Sequence, residues 1–274
     1  MDESVSPENR HKVYELCKTL LTGKWTQISE NELIIKPNYD GFTNQLFYCF
    51  LPENQNQEKY NKVVIRSQEN SEWQDCYNRT YLLTMGLLLS EKGLAPKILG
   101  VFDTGTITEF IDSRYFSGSD DHNPRLVALL AQRLAQFHAS DIPVPKDSSH
   151  QFFDIVFDKW FDESRRQSLR EGLVYQEIQK HKYHTFLTLD LLSEMSWLKQ
   201  TIIDLKSPVV FSHNDWNRKN ILIRETNDKN SQNIEIFFID FDFSSYSYRG
   251  FDMGIYISGW GQKDLQFGSG DFPT

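Results

Sequence analysis

The chain changes texture near residue 112, and this restricts the folds open to it more than any other feature. Before that point, three short runs of β-forming residues, 32–35, 45–51 and 62–66, are separated by polar stretches. They predict a small antiparallel sheet. An amphipathic helix over 7–22 precedes them. Ser6 is its cap, Pro7 its first residue and Glu8 its first-turn acid, and Val13, Leu16, Cys17, Leu20 and Leu21 recur at helical spacing. A second helix is predicted over 73–92, stopped by Gly93, and strands 98–102 and 106–111 turn about Asp103, Thr104 and Gly105. Past residue 112, helical periodicity takes over at 126–138 and 189–205. Apolar strands at 209–212, 221–223 and 235–241 lie among the helices, and the polar run 225–233 reads as a hairpin loop. The pattern predicts an α+β, two-lobed chain: a sheet-bearing lobe over 1–111 and a mainly helical lobe over 112–274.

Charge and composition exclude several kinds of partner. Lys and Arg number 29 against 38 Asp and Glu, a formal charge of −9, which repels phosphate backbones and anionic lipid. Nucleic acid and stable membrane insertion are not expected. No apolar run approaches the ~18 residues needed to cross a bilayer, and the acidic start Met1-Asp2-Glu3-Ser4 is unlike a secretory leader, so a cytoplasmic location is expected. Cys17, Cys49 and Cys76 form no C-x-x-C pair and read as buried thiols. His138, on an otherwise apolar helix, reads as a satisfied core histidine.

The chemistry concentrates in the later half. An apolar strand leads into Ser212-His213-Asn214-Asp215, Asn220 follows five residues after Asp215, and Asp240 comes twenty residues later at the end of another apolar strand. Protein kinases space a catalytic-loop aspartate and a metal-binding asparagine in this way, with a second metal carboxylate further on. Magnesium takes hard oxygen ligands in octahedral geometry and shares them with nucleotide phosphates, so one amide (Asn220) and one carboxylate (Asp240) suffice. Asp215 is left to orient an acceptor hydroxyl and take its proton late in a loose phosphoryl transfer. Any one of the three alone would more often cap a turn; the joint spacing carries the assignment.

The first half offers the complementary pieces. Gly41, between two predicted strands, lets backbone amides approach phosphates while Thr43 and Asn44 donate hydrogen bonds; an ordinary turn is the alternative. Arg66 ends the run Val63-Val64-Ile65, where a basic side chain can lie over nucleotide phosphates, against the alternative of a solvated surface charge. Glu109 to Asp112 fall at the change of texture, placing them at a hinge whose backbone could pair with an adenine edge, or on a buried edge strand.

With these pieces in place, the chain resembles the choline/ethanolamine kinase family. Matching segments run in order: DGFTNQLFYCFLP, KVVIR, GLAPKILGVF, ITEFIDSR, VVFSHND, NILI and FFIDFDFSSYSYRGFDMG, together spanning about residues 12–260. The run SSYSYRGFD resembles the choline-kinase branch. The resemblance implies a protein-kinase-like fold and ATP- and Mg2+-dependent phosphorylation of choline, with ethanolamine as the other candidate, the entry step of phosphatidylcholine synthesis. Position by position, it makes Asp215 the catalytic aspartate, Asn220 and Asp240 the metal ligands, and Gly41, Thr43, Asn44 and Arg66 the phosphate contacts. Glu109 and Ile111 become the adenine hinge, while Asp242 and Phe243 line the substrate pocket, where a carboxylate and an aromatic face suit an ammonium. It also implies a dimer, of this chain with itself or with a full-length family member. Three departures stand out. The acidic helix residue that pairs the strand arginine in the family is matched here near Leu82, a family glutamate is matched by Gly259, and the chain stops at Thr274 where the family continues. They keep two alternatives open: an inactive or weakly active partner subunit or shortened isoform, and a small-molecule kinase of another specificity.

Overall fold

Ser6 caps the first helix, its hydroxyl accepting from the Asn9 N–H at 3.2 Å, and Pro7 opens α1 (Pro7–Leu20) as expected. The computed structural model describes residues 5–38, 45–52, 59–67, 79–146, 161–228 and 231–263. Gly41, Thr43 and Asn44, expected to contact phosphates, and Cys76 lie outside the described residues.

After α1 come β1 (Ile34–Asn38), β2 (Gln45–Phe50), β3 (Lys62–Ser67), α2 (Arg79–Glu91), β4 (Ile98–Phe102) and β5 (Gly105–Glu109). The strands form one antiparallel sheet in the order β1-β2-β3-β5-β4. The first strand lies a few residues later than expected and includes Pro37, which it tolerates because β1 is an edge strand with one side unpaired. Alternation along β2 and β3 sends Phe47, Cys49, Val63 and Ile65 into the core against Val13 and Cys17 of α1. Cys17 and Cys49 are fully buried, and burial pushes the Cys49 thiol well up. Arg66 sits on the opposite face of β3, in register with Leu46 and Thr106. Gly105 opens β5 where nothing larger fits: a Cβ there would stand 1.9 Å from the Arg66 carbonyl oxygen.

Beyond the sheet follow β6 (Arg114–Tyr115), α3 (Pro124–His138), α4 (Glu163–Ser168), α5 (Leu173–Lys180), α6 (His184–Thr188) and α7 (Leu191–Asp204). The chain continues through β7 (Val209–Ser212), β8 (Ile221–Asp228), β9 (Ser231–Phe238), β10 (Ser245–Tyr248) and α8 (Gly250–Ser258). On α3, Leu126, Leu130, Leu134 and Phe137 form one buried face, and the Phe137 ring meets Phe238 at 5.6 Å. The segment 225–233 differs from expectation: β8 and β9 pair from Ile221↔Phe238 to Asp228↔Ser231, through the polar run read as a loop. Backbone pairing in a two-stranded ribbon does not require apolar side chains, so polarity concealed the strands. β10, pairing β7, was likewise unforeseen: Ser245-Tyr246-Ser247-Tyr248 alternates small polar and aromatic residues, but over only four positions, the shortest run that reads as a strand.

The elements gather into two compact units that interleave along the chain, whereas the change of texture divides it once, at residue 111. One unit comprises residues 1–137, 217–242 and 259–274 and holds the five-stranded sheet and the sheet β6-β8-β9. The other comprises 138–216 and 243–258 and holds the pair β7 and β10 with α4 to α8. Among the described residues no helix is long and apolar enough to cross a membrane.

Candidate active site

In the first unit, the ladder between β8 and β9 does the positioning. A single 3-10 turn, Arg218–Asn220, leads into β8, with the Asn217 side chain accepting from the Lys219 N–H at 3.0 Å. The Asn220 carbonyl then accepts from the Ile239 N–H at 3.1 Å, one step beyond the last strand pair. Asn220, itself buried, is thereby held opposite the residue before Asp240. The strand ends at Phe238, and Asp240 takes φ 65°, a left-handed conformation that aspartate tolerates better than most residues. The chain leaves the line of β9 there.

Two carboxylates just past that bend meet Arg66. Its Nη2 donates to Asp240 Oδ1 at 3.0 Å and to Asp242 Oδ2 at 2.5 Å. Burial works to lower the Arg66 pKa, but the charges of Asp242 and then Asp240 outweigh it and raise the value. The two carboxylates differ in access: the Asp240 side chain is 40% exposed and that of Asp242 only 7%. Arg66 therefore has acidic partners despite the missing helix acid. They lie 174 and 176 residues away, a separation at which no local sequence pattern signals pairing.

Asn220 and Asp240 supply one amide and one carboxylate, a donor set that fits magnesium arriving with phosphate oxygens. Among the described residues no group of three or more His, Cys, Asp or Glu could hold a metal unaided. At the expected hinge, the Glu109 N–H donates to the Lys97 carbonyl at 2.8 Å, and the Glu109 carboxylate accepts from the Lys97 N–H at 2.9 Å. Ile111 is buried, and its carbonyl accepts from the Ser113 hydroxyl at 2.9 Å. Between them Phe110 meets the Tyr48 and Phe50 rings edge-on, at 5.6 and 5.7 Å. The segment thus begins as a paired strand end and continues as irregular chain up to Arg114.

Asp215 and Phe243 belong to the second unit. The loop before Asp215 is held by Asp252 of α8, a fully buried carboxylate. Its Oδ2 accepts from the His213 N–H at 2.9 Å and its Oδ1 from the Asn214 N–H at 2.7 Å. His138 Nε2 stands 2.9 Å from the same Oδ2, the satisfied core histidine expected. Asn214, at φ 62°, donates through Nδ2 to the Phe243 carbonyl and the Ser245 hydroxyl, both at 2.9 Å. On the other side of Asp215, Trp216 packs on Tyr256 at 5.3 Å between ring centres. Asp252 and Tyr256, one turn apart on α8, bracket Asp215. The sequence signal for Asp252 was a lone carboxylate in the apolar helix GFDMGIYIS, which needs buried partners to be tolerated.

A sequence model of choline/ethanolamine kinase matches residues 35–266. The chain belongs to this family. Choline kinase alpha of Mus musculus is 30% identical over 280 residues, covering 94% of this chain and 60% of the mouse protein. The choline/ethanolamine kinase of Homo sapiens is 28% identical over 259 residues, covering 94% and 62%. This family member spans about three fifths of the length of the curated relatives it matches. Among solved structures, choline kinase from Cryptosporidium parvum Iowa II aligns with a TM-score of 0.68 at 23% identity, over 90% of this chain and 68% of that one. Plasmodium vivax ethanolamine kinase aligns at 0.61 and 19% identity, over 100% and 78%. These likenesses establish the mixed α+β, protein-kinase-like fold, with its N-terminal antiparallel sheet and C-terminal helical region.

Proposed function

We propose that this family member transfers the terminal phosphoryl group of ATP to the hydroxyl of choline, giving phosphocholine, with ethanolamine the alternative acceptor. The observation that carries the reading is the meeting of Arg66, Asp240 and Asp242 beside Asn220, residues assigned separately to phosphate, metal and substrate. Arg66 presents a planar donor fork suited to phosphate oxygens. Mg2+ at Asn220 and Asp240 would offset charge on the migrating group. Asp215 orients the acceptor hydroxyl and takes its proton as the new P–O bond forms and the bond to the departing diphosphate oxygen breaks. Asp242 and Phe243 suit the ammonium end of the acceptor, one by charge and one by its aromatic face. The run SSYSYRGFD and the mouse choline kinase match support choline over ethanolamine.

The test is turnover of purified protein with Mg-ATP and each amino alcohol, compared with Asp215→Asn. Loss of the base should slow turnover by about 10²- to 10⁴-fold. A variant as fast as the parent would remove Asp215 from the mechanism.

A further inference from the structure

Arg66 does more here than face a nucleotide. One nitrogen of its guanidinium holds two carboxylates that the proposed function gives to different substrates: Asp240 to the metal–nucleotide and Asp242 to the cationic acceptor. The contact to Asp242 is the shorter, 2.5 Å against 3.0 Å, and Asp242 is the more buried of the two. In this state Arg66 neutralises the carboxylate that an ammonium would need. Resting on the function proposed above, we propose that Arg66 masks Asp242 until nucleotide phosphates draw the guanidinium away, so that bound Mg-nucleotide creates the site for the cationic acceptor.

The argument follows from charge and burial. Guanidinium pairs strongly with phosphate oxygens through two parallel hydrogen bonds, so a triphosphate competes directly for the fork that now serves Asp242. Once Arg66 turns to phosphate, Asp242 is a buried carboxylate deprived of the guanidinium that pairs it here, a costly change that a cation relieves. A quaternary ammonium is well suited, because it brings charge without needing a hydrogen-bond acceptor. Asp240, far more exposed, loses less when Arg66 leaves. The coupling must be reciprocal: whatever factor nucleotide adds to acceptor affinity, acceptor adds to nucleotide affinity.

Calorimetric titration of choline and of ethanolamine into the full chain, with and without Mg2+ and a non-hydrolysable ATP analogue, tests this without turnover. The expected result is acceptor binding tightened by about 5- to 150-fold when the analogue is present. In Arg66→Met the acceptor should bind the nucleotide-free protein more tightly than it binds the parent, and the analogue should no longer change that affinity. Asp242→Asn should bind the analogue yet lose acceptor affinity in both conditions. Equal acceptor affinity with and without bound analogue in the parent protein overturns the masking proposal while leaving the phosphotransfer reading intact. Failure of the parent to bind the analogue at all overturns that reading and the masking with it.

Discussion

Replacing Asp252 by alanine tests the account of how the loop before Asp215 is held. The side chain is fully buried, and three donors converge on it: the His213 and Asn214 backbone N–H groups and His138. Each buried donor left without an acceptor costs about 1–3 kcal/mol, so the two backbone groups alone give about 2–6 kcal/mol. Breaking a buried charged cluster from one side costs about 3–5 kcal/mol, and the two estimates overlap near 3–5 kcal/mol. At about 2–4 °C per kcal/mol, the unfolding midpoint should fall by about 6–20 °C. Asp252→Asn keeps one oxygen but turns an NH2 group toward at least one of the same donors, so it should fall between parent and alanine. Thermal unfolding followed by circular dichroism gives the midpoints, and hydrogen exchange at His213 and Asn214 should quicken in both variants. An alanine variant melting within about 2 °C of the parent would show that these donors do not depend on Asp252, and the reasoning would fail.

Other expectations follow from packing and charge. Phe137→Ala removes a fully buried ring stacked on Phe241 and edge-on to Phe238, and should cost about 3–5 kcal/mol in urea unfolding. Gly105→Ala forces a methyl group against the Arg66 carbonyl, and should cost about 1–3 kcal/mol and weaken binding of a nucleotide analogue. Burial pushes the Asp120 carboxyl up, but hydrogen bonds from Arg114 and Ser117 outweigh it and hold it below the usual value. Its contribution to stability should be complete above the unfolded value of about 3.9 and drain away as pH falls through the lower folded value. The stability gap between the parent and Asp120→Asn should therefore narrow on acidification below about pH 4, as read from denaturation midpoints across that range.

Elements with a strong period were legible before folding. Leu126, Leu130, Leu134 and Phe137 announce α3, because burial of one face dictates that period, and the β-branched run Val63-Val64-Ile65 announces β3 by composition. The polar ends of β8 and β9 were not legible, since their pairing is satisfied by backbone alone. The site divides in the same way. Asp215, Asn220 and Asp240 stood out by spacing, a local property. The acidic partners of Arg66 and the backbone partners of Asp252 did not, because those contacts join segments 174, 176, 38 and 39 residues apart. Long-range charge pairing leaves no periodic trace.

The interleaving of the two units governs how the molecule can be dissected. A fragment cut after Phe137 would carry Arg66 yet neither aspartate that grips it, and would bare the Phe137 ring by removing Phe238 and Phe241. Expressing the sheet-bearing half alone should thus give a sticky, poorly folded piece, and reconstitution would require supplying residues 217–242 in trans.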